Sequence, residues 1–292
     1  MTMDFDAFMA GAHHDPHAVL GRHPDGKGAT LVRTLRPEAT AVEVLHAHTR
    51  TPMRLLHDGG LFEAVVDGEV GDYRLEVTYG TDSYLVDDPY RWLPTLGEVD
   101  LHLFGEGRHE NLWQVLGAHP RNYDTPGGPV SGTSFAVWAP NARGVRLIGD
   151  FDHWSGRALP MRSLGSSGVW ELFVPGVGDG ARYKFRILGA DGQWREKADP
   201  MAFATEVPPA TASVVHTSRY EWGDDDWLSL RAATAWHAAP MSIYEVHLGS
   251  WRLGLSYREL AEQLLAHVLE SGFTHVEFLP VAEHPFGGSW GY

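Results

Sequence analysis

The chain has 292 residues, of which 43% are hydrophobic and 21% are charged, a balance typical of a folded globular protein with about two domains. Its 23 Lys and Arg against 38 Asp and Glu give a formal net charge of −15, which argues against nucleic acid or an anionic membrane as partner. The absence of cysteine excludes disulfides, thiolate metal sites and thiol catalysis. The opening MTMDFDAFMAGAHHDPH lacks the apolar core of a signal peptide, and no stretch approaches the ~18 apolar residues of a membrane span, so we expect a cytoplasmic protein.

An internal repeat runs through the first two thirds of the chain. The offset between matched segments only grows along the chain, as insertions in the loops of two copies would make it do. We therefore predict two homologous modules, a first module at 12–108 and a second module at 109–222. The matched pairs are VLGRHP (19–24) with VLGAHP (115–120), LRPEATAVEVL (35–45) with WAPNARGVRLI (138–148), GLFEAVVDG (60–68) with GVWELFVPG (168–176), YRLEV (73–77) with YKFRI (183–187), and Asp88-Pro89 with Asp199-Pro200.

Both modules have the sequence pattern of β-structure. Segments such as TSFAVWAP at 133–140 alternate small or polar residues with aromatic and β-branched ones, and clusters such as PGVGDGA at 175–181 separate them. Short strands with frequent turns over about 100 residues are typical of a β-sandwich. The predicted fold class is therefore mainly β, with two tandem immunoglobulin-like sandwiches.

The pattern changes after residue 222. An acidic, Ala-rich connector at 223–240 precedes a strand at 241–251, a helix at 256–272 and a second strand at 273–281. Ser256 and Glu259 form a capping box and Gly272 ends the helix. One such βαβ unit cannot cover both faces of a parallel sheet. We expect 241–292 to be the opening of a larger α/β domain.

The residues of this last segment resemble a known family. YEVHLGSWR at 244–252 with FTHVEFLPVAEHPFGGSWGY at 273–292 resembles the start of the catalytic (β/α)8 barrel of the α-amylase superfamily, in the form found in glycogen branching enzymes. The second module at 135–187 is similar to the glycogen-binding-type carbohydrate module of that family. The first module, beginning HHDPHAVLGRHP at 13–24, looks like the extra amino-terminal sandwich of some bacterial members.

The resemblance implies the amino-terminal part of an enzyme that transfers an α-1,4-glucan chain to a 6-hydroxyl, forming α-1,6 branches. The family's nucleophile and acid/base lie on later barrel strands, beyond Tyr292, so no catalytic residue is assigned and the chain is predicted to be inactive alone. The expected partner is α-glucan (glycogen, amylose or maltooligosaccharides), with no nucleic acid and no membrane. We expect a monomer without cofactor or metal.

The same resemblance implies candidate substrate contacts. Family counterparts of Tyr292 line the sugar subsite at the cleavage point, and Trp290 is its neighbour. In the second module Trp154, Trp170 and Lys184 match positions that stack on or hydrogen-bond glucan. Trp170 alternates with buried-type residues along its strand, so packing in the core is the alternative for it.

Other candidate sites have simpler interpretations. Asp150, Asp152 and Glu171 are interpreted as loop or structural acids rather than a glycosidase pair. The histidines at 13, 14 and 17 are interpreted as solvated or hydrogen-bonded rather than as metal ligands, because Asp15-Pro16 interrupts a helix there. Two other functions stay open at this point: a stand-alone glucan-binding protein, and a fragment of a debranching or trehalose-releasing hydrolase.

Overall fold

The computed structural model describes residues 5–11, 13–282 and 288–289. The chain divides into two compact units, Met1–Thr217 and Ser218–Tyr292. The architecture is mainly β, as predicted, and every strand pair of the first unit is antiparallel. None of the helices among these residues is both long and apolar enough to cross a membrane.

The first module follows a short helix, α1 (Phe5–Met9), and is built of eight strands. These strands are β1 (Gly21–Pro24), β2 (Ala29–Leu35), β3 (Ala41–His46), β4 (Thr49–Pro52), β5 (Arg54–His57), β6 (Leu61–Asp67), β7 (Arg74–Tyr79) and β8 (Asp82–Val86). They form two four-stranded sheets, ordered β1-β2-β6-β5 and β4-β3-β7-β8. Alternate residues such as Val32 and Phe62 of one sheet pack against Val44, Leu75 and Val77 of the other, which makes a sandwich.

The second module follows helix α2 (Glu98–Gly105) and repeats this plan. Its strands are β9 (Gly117–Thr125), β10 (Gly128–Trp138), β11 (Gly144–Gly149), β12 (Arg162–Ser163), β13 (Val169–Pro175), β14 (Arg182–Leu188), β15 (Trp194–Lys197), β16 (Ala204–Thr205) and β17 (Ser213–Val214). The sheets are ordered β12-β13-β10-β9 and β11-β14-β17-β16, with β15 also paired to β14. Phe135 and Leu172 of the first sheet pack with Leu147 and Phe185 of the second.

The internal repeat predicted from the sequence is visible in the hydrogen bonds of the two cores. In the first module the Tyr73 hydroxyl donates to Asp88 Oδ2 at 2.5 Å, and in the second the Tyr183 hydroxyl donates to Asp199 Oδ2 at 2.6 Å. All four residues are buried. Burial raises the pKa of both carboxyls and of both phenols, so the Tyr–Asp pair has a similar buried environment in the two modules.

Two glycines occupy the same position in the two copies. Gly21 and Gly117 have φ of +85° and +98°, a backbone conformation that favours glycine. A Cβ on Gly21 would lie 2.5 Å from the carbonyl oxygen of Tyr90, and a Cβ on Gly117 would lie 2.9 Å from that of Met201. Close backbone packing therefore requires glycine at this position in both copies of the matched VLG segment.

The two sandwiches of the first unit share an apolar cluster. Leu20, Leu35 and Leu61 of the first module belong to the same buried cluster as the core of the second. Tyr90 joins this cluster and donates its hydroxyl hydrogen to the carbonyl oxygen of Pro160 at 3.0 Å. The predicted boundary between the modules stays a prediction, because compactness places both sandwiches in one unit.

The second unit contains the strand–helix–strand segment that the sequence predicts. Its elements are α3 (Asp225–Ala233), β18 (Ile243–Val246), α4 (Leu248–Trp251), α5 (Tyr257–Ser271) and β19 (His275–Phe278). Strands β18 and β19 are parallel, as a βαβ unit requires. The predicted capping box is present, and Gly272 ends α5 with φ of +76°. The barrel itself stays a prediction, and the connector at 223–240 contains a helix that was not expected from its acidic composition.

Candidate functional site

The loop that follows β11 presents Trp154 at the surface of the second module. Asp152 is buried in this loop, and its carboxylate accepts hydrogen bonds from the backbone N–H groups of Gly149 (2.8 Å), Trp154 (3.1 Å) and Gly156 (2.9 Å). His153 and Trp154 have φ of +52° and +60°, in the left-handed region that side-chain-bearing residues rarely adopt. The Asp152 carboxylate therefore fixes a tight loop whose conformation the residues alone would not favour.

The Trp154 indole is held at its nitrogen and is 36% exposed. Its Nε1–H donates to Asp150 Oδ1 at 3.1 Å. Asp150 also accepts from Arg182, at 2.9 Å from Nη2 and 3.0 Å from Nε, and this guanidinium holds the pKa of Asp150 below its usual range. An exposed aromatic ring with a fixed edge is a platform for stacking.

Lys184 lies on β14, two residues after Arg182, and is half-buried. Its Nζ donates to Thr211 Oγ1 at 2.8 Å. The register of β11 and β14 pairs Ile148 with Lys184, so Lys184 lies beside the end of β11 from which the Trp154 loop begins. The structure therefore brings Trp154 and Lys184 to one end of one sheet.

Trp170 lies elsewhere. It is 3% exposed, belongs to the core cluster of the second module, and donates its Nε1–H to the carbonyl oxygen of Ala139 at 3.1 Å. Core packing, the alternative that its strand alternation allowed, is what the structure shows. A buried ring offers no face to a sugar, so Trp170 is not part of the surface proposed below.

The three acids of the second module each have a structural role. Asp150 pairs with Arg182, and Asp152 binds loop backbone, as described above. Glu171 is fully buried and forms an ion pair with Arg162. It also accepts from the Thr95 hydroxyl at 3.0 Å. This arrangement agrees with the structural interpretation of these acids rather than with a glycosidase pair.

The histidines at 13, 14 and 17 each lie against another ring. No group of three His, Asp or Glu residues among the described positions has the arrangement to hold a metal ion. His13 and His14 stack on each other. His17 differs from the expectation: both ring nitrogens are out of contact with solvent, and neither forms a hydrogen bond with a described group. Burial, with Arg162 and His23 nearby, lowers the pKa of His17 to about 3, so the ring is neutral.

The candidates of the barrel segment are only partly described. Tyr292 and Trp290 lie outside the described residues, and the substrate contacts expected of them stay predictions. Among the described residues of this segment, His247 follows β18, and its Nδ1 lies 2.8 Å from the Ser250 hydroxyl.

The structure also shows an exposed aromatic pair that the sequence analysis missed. The rings of Tyr79 and Tyr84, in the β7–β8 hairpin of the first module, have centroids 6.4 Å apart and planes inclined at 53°. The segment YGTDSY between 79 and 84 carries the signal, because Gly80 marks a turn between two strands.

Two family models match the chain. Residues 1–90 match "alpha-1,4-glucan branching enzyme GlgB, N-terminal domain". Residues 115–202 match "Carbohydrate-binding module 48 (Isoamylase N-terminal domain)". The two matches fall on the first and second modules, and the second contains Trp154, Trp170 and Lys184.

Whole-chain relatives agree with these matches. The chain is 68% identical over 291 residues to a 1,4-alpha-glucan branching enzyme GlgB from Frankia casuarinae, covering 99% of this chain and 36% of that protein. It is 66% identical over 295 residues to a protein of the same name from Thermobifida fusca, covering 100% and 39%. For the Rhodococcus jostii protein the identity is 62% over 290 residues, covering 99% and 40%. The chain thus spans less than half the length of the curated relatives it matches.

Proposed function

We propose that this chain, which belongs to the GlgB family of 1,4-alpha-glucan branching enzymes, binds α-1,4-linked glucan through the Trp154 surface of its second module. The observation that carries the proposal is the Trp154 loop, in which a buried carboxylate fixes the backbone and Asp150 fixes the indole edge. Such a ring loses little conformational freedom on binding, because its orientation is set before the sugar arrives.

The chemistry of this surface suits a neutral polyol. The C–H face of a glucose ring packs on an indole, and hydroxyl groups accept from a lysine ammonium such as that of Lys184. With a net charge of −15, the chain gains nothing from a phosphate-rich ligand, whereas an uncharged polymer meets no repulsion. We expect the affinity to change little between low and high salt.

We further propose that the chain serves the branching reaction as a glucan-holding part. In that reaction a carboxylate attacks C1 of an α-1,4-linked residue while a general acid protonates the leaving 4-oxygen. A 6-hydroxyl of the acceptor then displaces the carboxylate and gives its proton back to the same group. Asp150, Asp152 and Glu171 are engaged in the structural contacts described above, so we assign no catalytic carboxylate here. A monomeric state and a cytoplasmic location stay predictions.

Glucan binding is tested with the Trp154→Ala variant. One stacked ring contributes on the order of 1–2 kcal/mol to the binding free energy, so its removal should weaken the affinity roughly tenfold. We expect this loss for maltoheptaose in calorimetry and for glycogen in affinity electrophoresis. Trp138→Ala is the matched control, because Trp138 is also exposed in the second module but lies on the other sheet.

The melting temperature is measured beside each affinity. A folded Trp154→Ala protein that binds glycogen as well as the parent would refute the proposal. The second module would then orient other domains rather than hold polymer.

A further inference from the structure

We propose that the glucan surface extends from Trp154 across both modules to the aromatic pair Tyr79 and Tyr84 of the first module, so that one α-1,4-glucan chain contacts both ends. This inference rests on the proposed function of the Trp154 loop. The observations that carry it are the ion pair between the two modules at Glu38 and Arg157, and the short segments that join this pair to Trp154 on one side and to Tyr79 on the other.

The first step is the link from Trp154 to the first module. Arg157 is three residues after Trp154 in the same loop, and its backbone N–H donates to the Ser155 hydroxyl at 3.3 Å. Its guanidinium forms an ion pair with Glu38, in the turn between β2 and β3. The loop that fixes Trp154 therefore reaches the first module directly.

The second step leads from Glu38 to the tyrosines. Two residues after Glu38, Thr40 donates from both its backbone N–H (2.8 Å) and its hydroxyl (3.1 Å) to the carbonyl oxygen of Thr78. Thr78 immediately precedes Tyr79. Burial raises the pKa of Tyr79, and the nearby Glu38 carboxylate adds to the rise while Arg36 opposes it. The turn that carries Glu38 is thus bonded to the strand that carries Tyr79.

The third step is the chemistry of the surface between the ends. Tyr79 and Tyr84 are 39% and 54% exposed, and the side chains of Glu38 and Arg157 are also exposed. An exposed ion pair contributes little to stability, and its donors and acceptors can pair with sugar hydroxyls. Exposed groups that can bond hydroxyls therefore belong to the segments that connect the two aromatic sites, a combination that suits an oligosaccharide.

The inclination of the tyrosine rings favours an α-linked chain. The α-1,4 linkage turns each glucose relative to the one before it, so successive sugar faces are inclined to one another and the chain curves. The rings of Tyr79 and Tyr84, inclined at 53° with centroids 6.4 Å apart, likewise present faces that are inclined to one another.

The test follows the Trp154 indole N–H signal by NMR on the full chain, with the signal assigned by comparison with Trp154→Phe. Maltotriose and then longer maltooligosaccharides are titrated against the parent, Tyr84→Ala and Leu85→Ala. Leu85 is the matched control, because it is equally exposed on the same strand but points to the opposite face of the sheet.

In the parent we expect the affinity measured at Trp154 to rise with chain length. In Tyr84→Ala we expect the longest chains to bind on the order of five- to tenfold more weakly, with maltotriose affinity at Trp154 unchanged. Leu85→Ala should match the parent throughout. Melting temperatures confirm that each variant is folded.

Two outcomes would overturn the extended surface. The first leaves the proposed function intact, and the second refutes it. If Trp154 responds to glucan but Tyr84→Ala leaves long-chain affinity unchanged, the site ends within the second module. If the Trp154 signal responds to no glucan in the parent, the proposed function itself fails, and any loss of glycogen binding in Tyr84→Ala would mark a separate site in the first module.

Discussion

The unpartnered imidazole of His17 predicts a specific loss of stability in mild acid. The folded chain holds the pKa of His17 at about 3, whereas the unfolded chain has the ordinary value of 6.5. Between these values the unfolded state binds a proton that the folded state does not. Above pH 6.5 the ring is neutral in both states and its titration does not lower the free energy of unfolding. As the pH falls from 6.5 toward 3, this free energy decreases because protons bind only to the unfolded state.

The size of the effect follows from the difference in pKa. Between about pH 6.5 and pH 5, a span of about 1.5 pH units, His17 is protonated in the unfolded state but neutral in the folded state. Each unit lowers the free energy of unfolding by 1.36 kcal/mol, so the total loss from pH 7 to pH 5 is about 2 kcal/mol. Other groups titrate in the same range, so the test compares variants rather than absolute values. His17→Leu removes the titrating ring and keeps a side chain of similar size.

We expect urea denaturation to show that the parent loses about 2 kcal/mol more between pH 7 and pH 5 than His17→Leu does. His14→Leu is the control for the loss of a histidine from this segment, because His14 is exposed, and the two variants are compared at each pH. Equal pH dependence in the parent and His17→Leu would show that the ring is solvated or hydrogen-bonded in solution, and the reasoning from burial would be refuted.

Two further predictions concern the buried ion pair and catalysis. Arg162→Met should lower the free energy of unfolding by on the order of 3–5 kcal/mol, since it leaves the Glu171 carboxylate buried without its cation, whereas Arg157→Met at the exposed pair should cost less than about 1 kcal/mol in the same denaturation assay. The chain alone should form no α-1,6 linkages from amylose, measured by iodine staining and by linkage analysis, and new branches would contradict the assignment of no catalytic residue to it.

The fold of the two sandwiches could be predicted from the sequence because the same structural features occur in both copies of the repeat. The Tyr–Asp hydrogen bond and the glycine at a left-handed position occur in both copies, so each copy supports the interpretation of the other. Strand alternation predicts which residues of β13 share a face but not which face is buried. The sequence alone therefore allowed Trp170 to be either a core residue or a sugar contact, and the structure places it in the core.

The missed features depend on long-range contacts. No local pattern distinguishes the buried ring of His17 from a solvated one, because its burial comes from Tyr90 and other residues far along the chain. The Glu38–Arg157 contact joins residues 119 positions apart. Trp154 was identified by its resemblance to a family position, while the Asp152 carboxylate that fixes its loop was interpreted only as a loop acid.

The apolar cluster shared by the two sandwiches has a mechanical consequence. Modules joined only by a linker pivot freely, and a polymer that spans them must first stop that motion at an entropic cost. Leu35, Leu61 and Tyr90 are buried in a cluster that also includes the core of the neighbouring sandwich, so a pivot would expose apolar surface on both sides. The relative placement of the two sandwiches is thereby set on folding, and the glucan surface proposed above would need no further ordering of the modules before it binds.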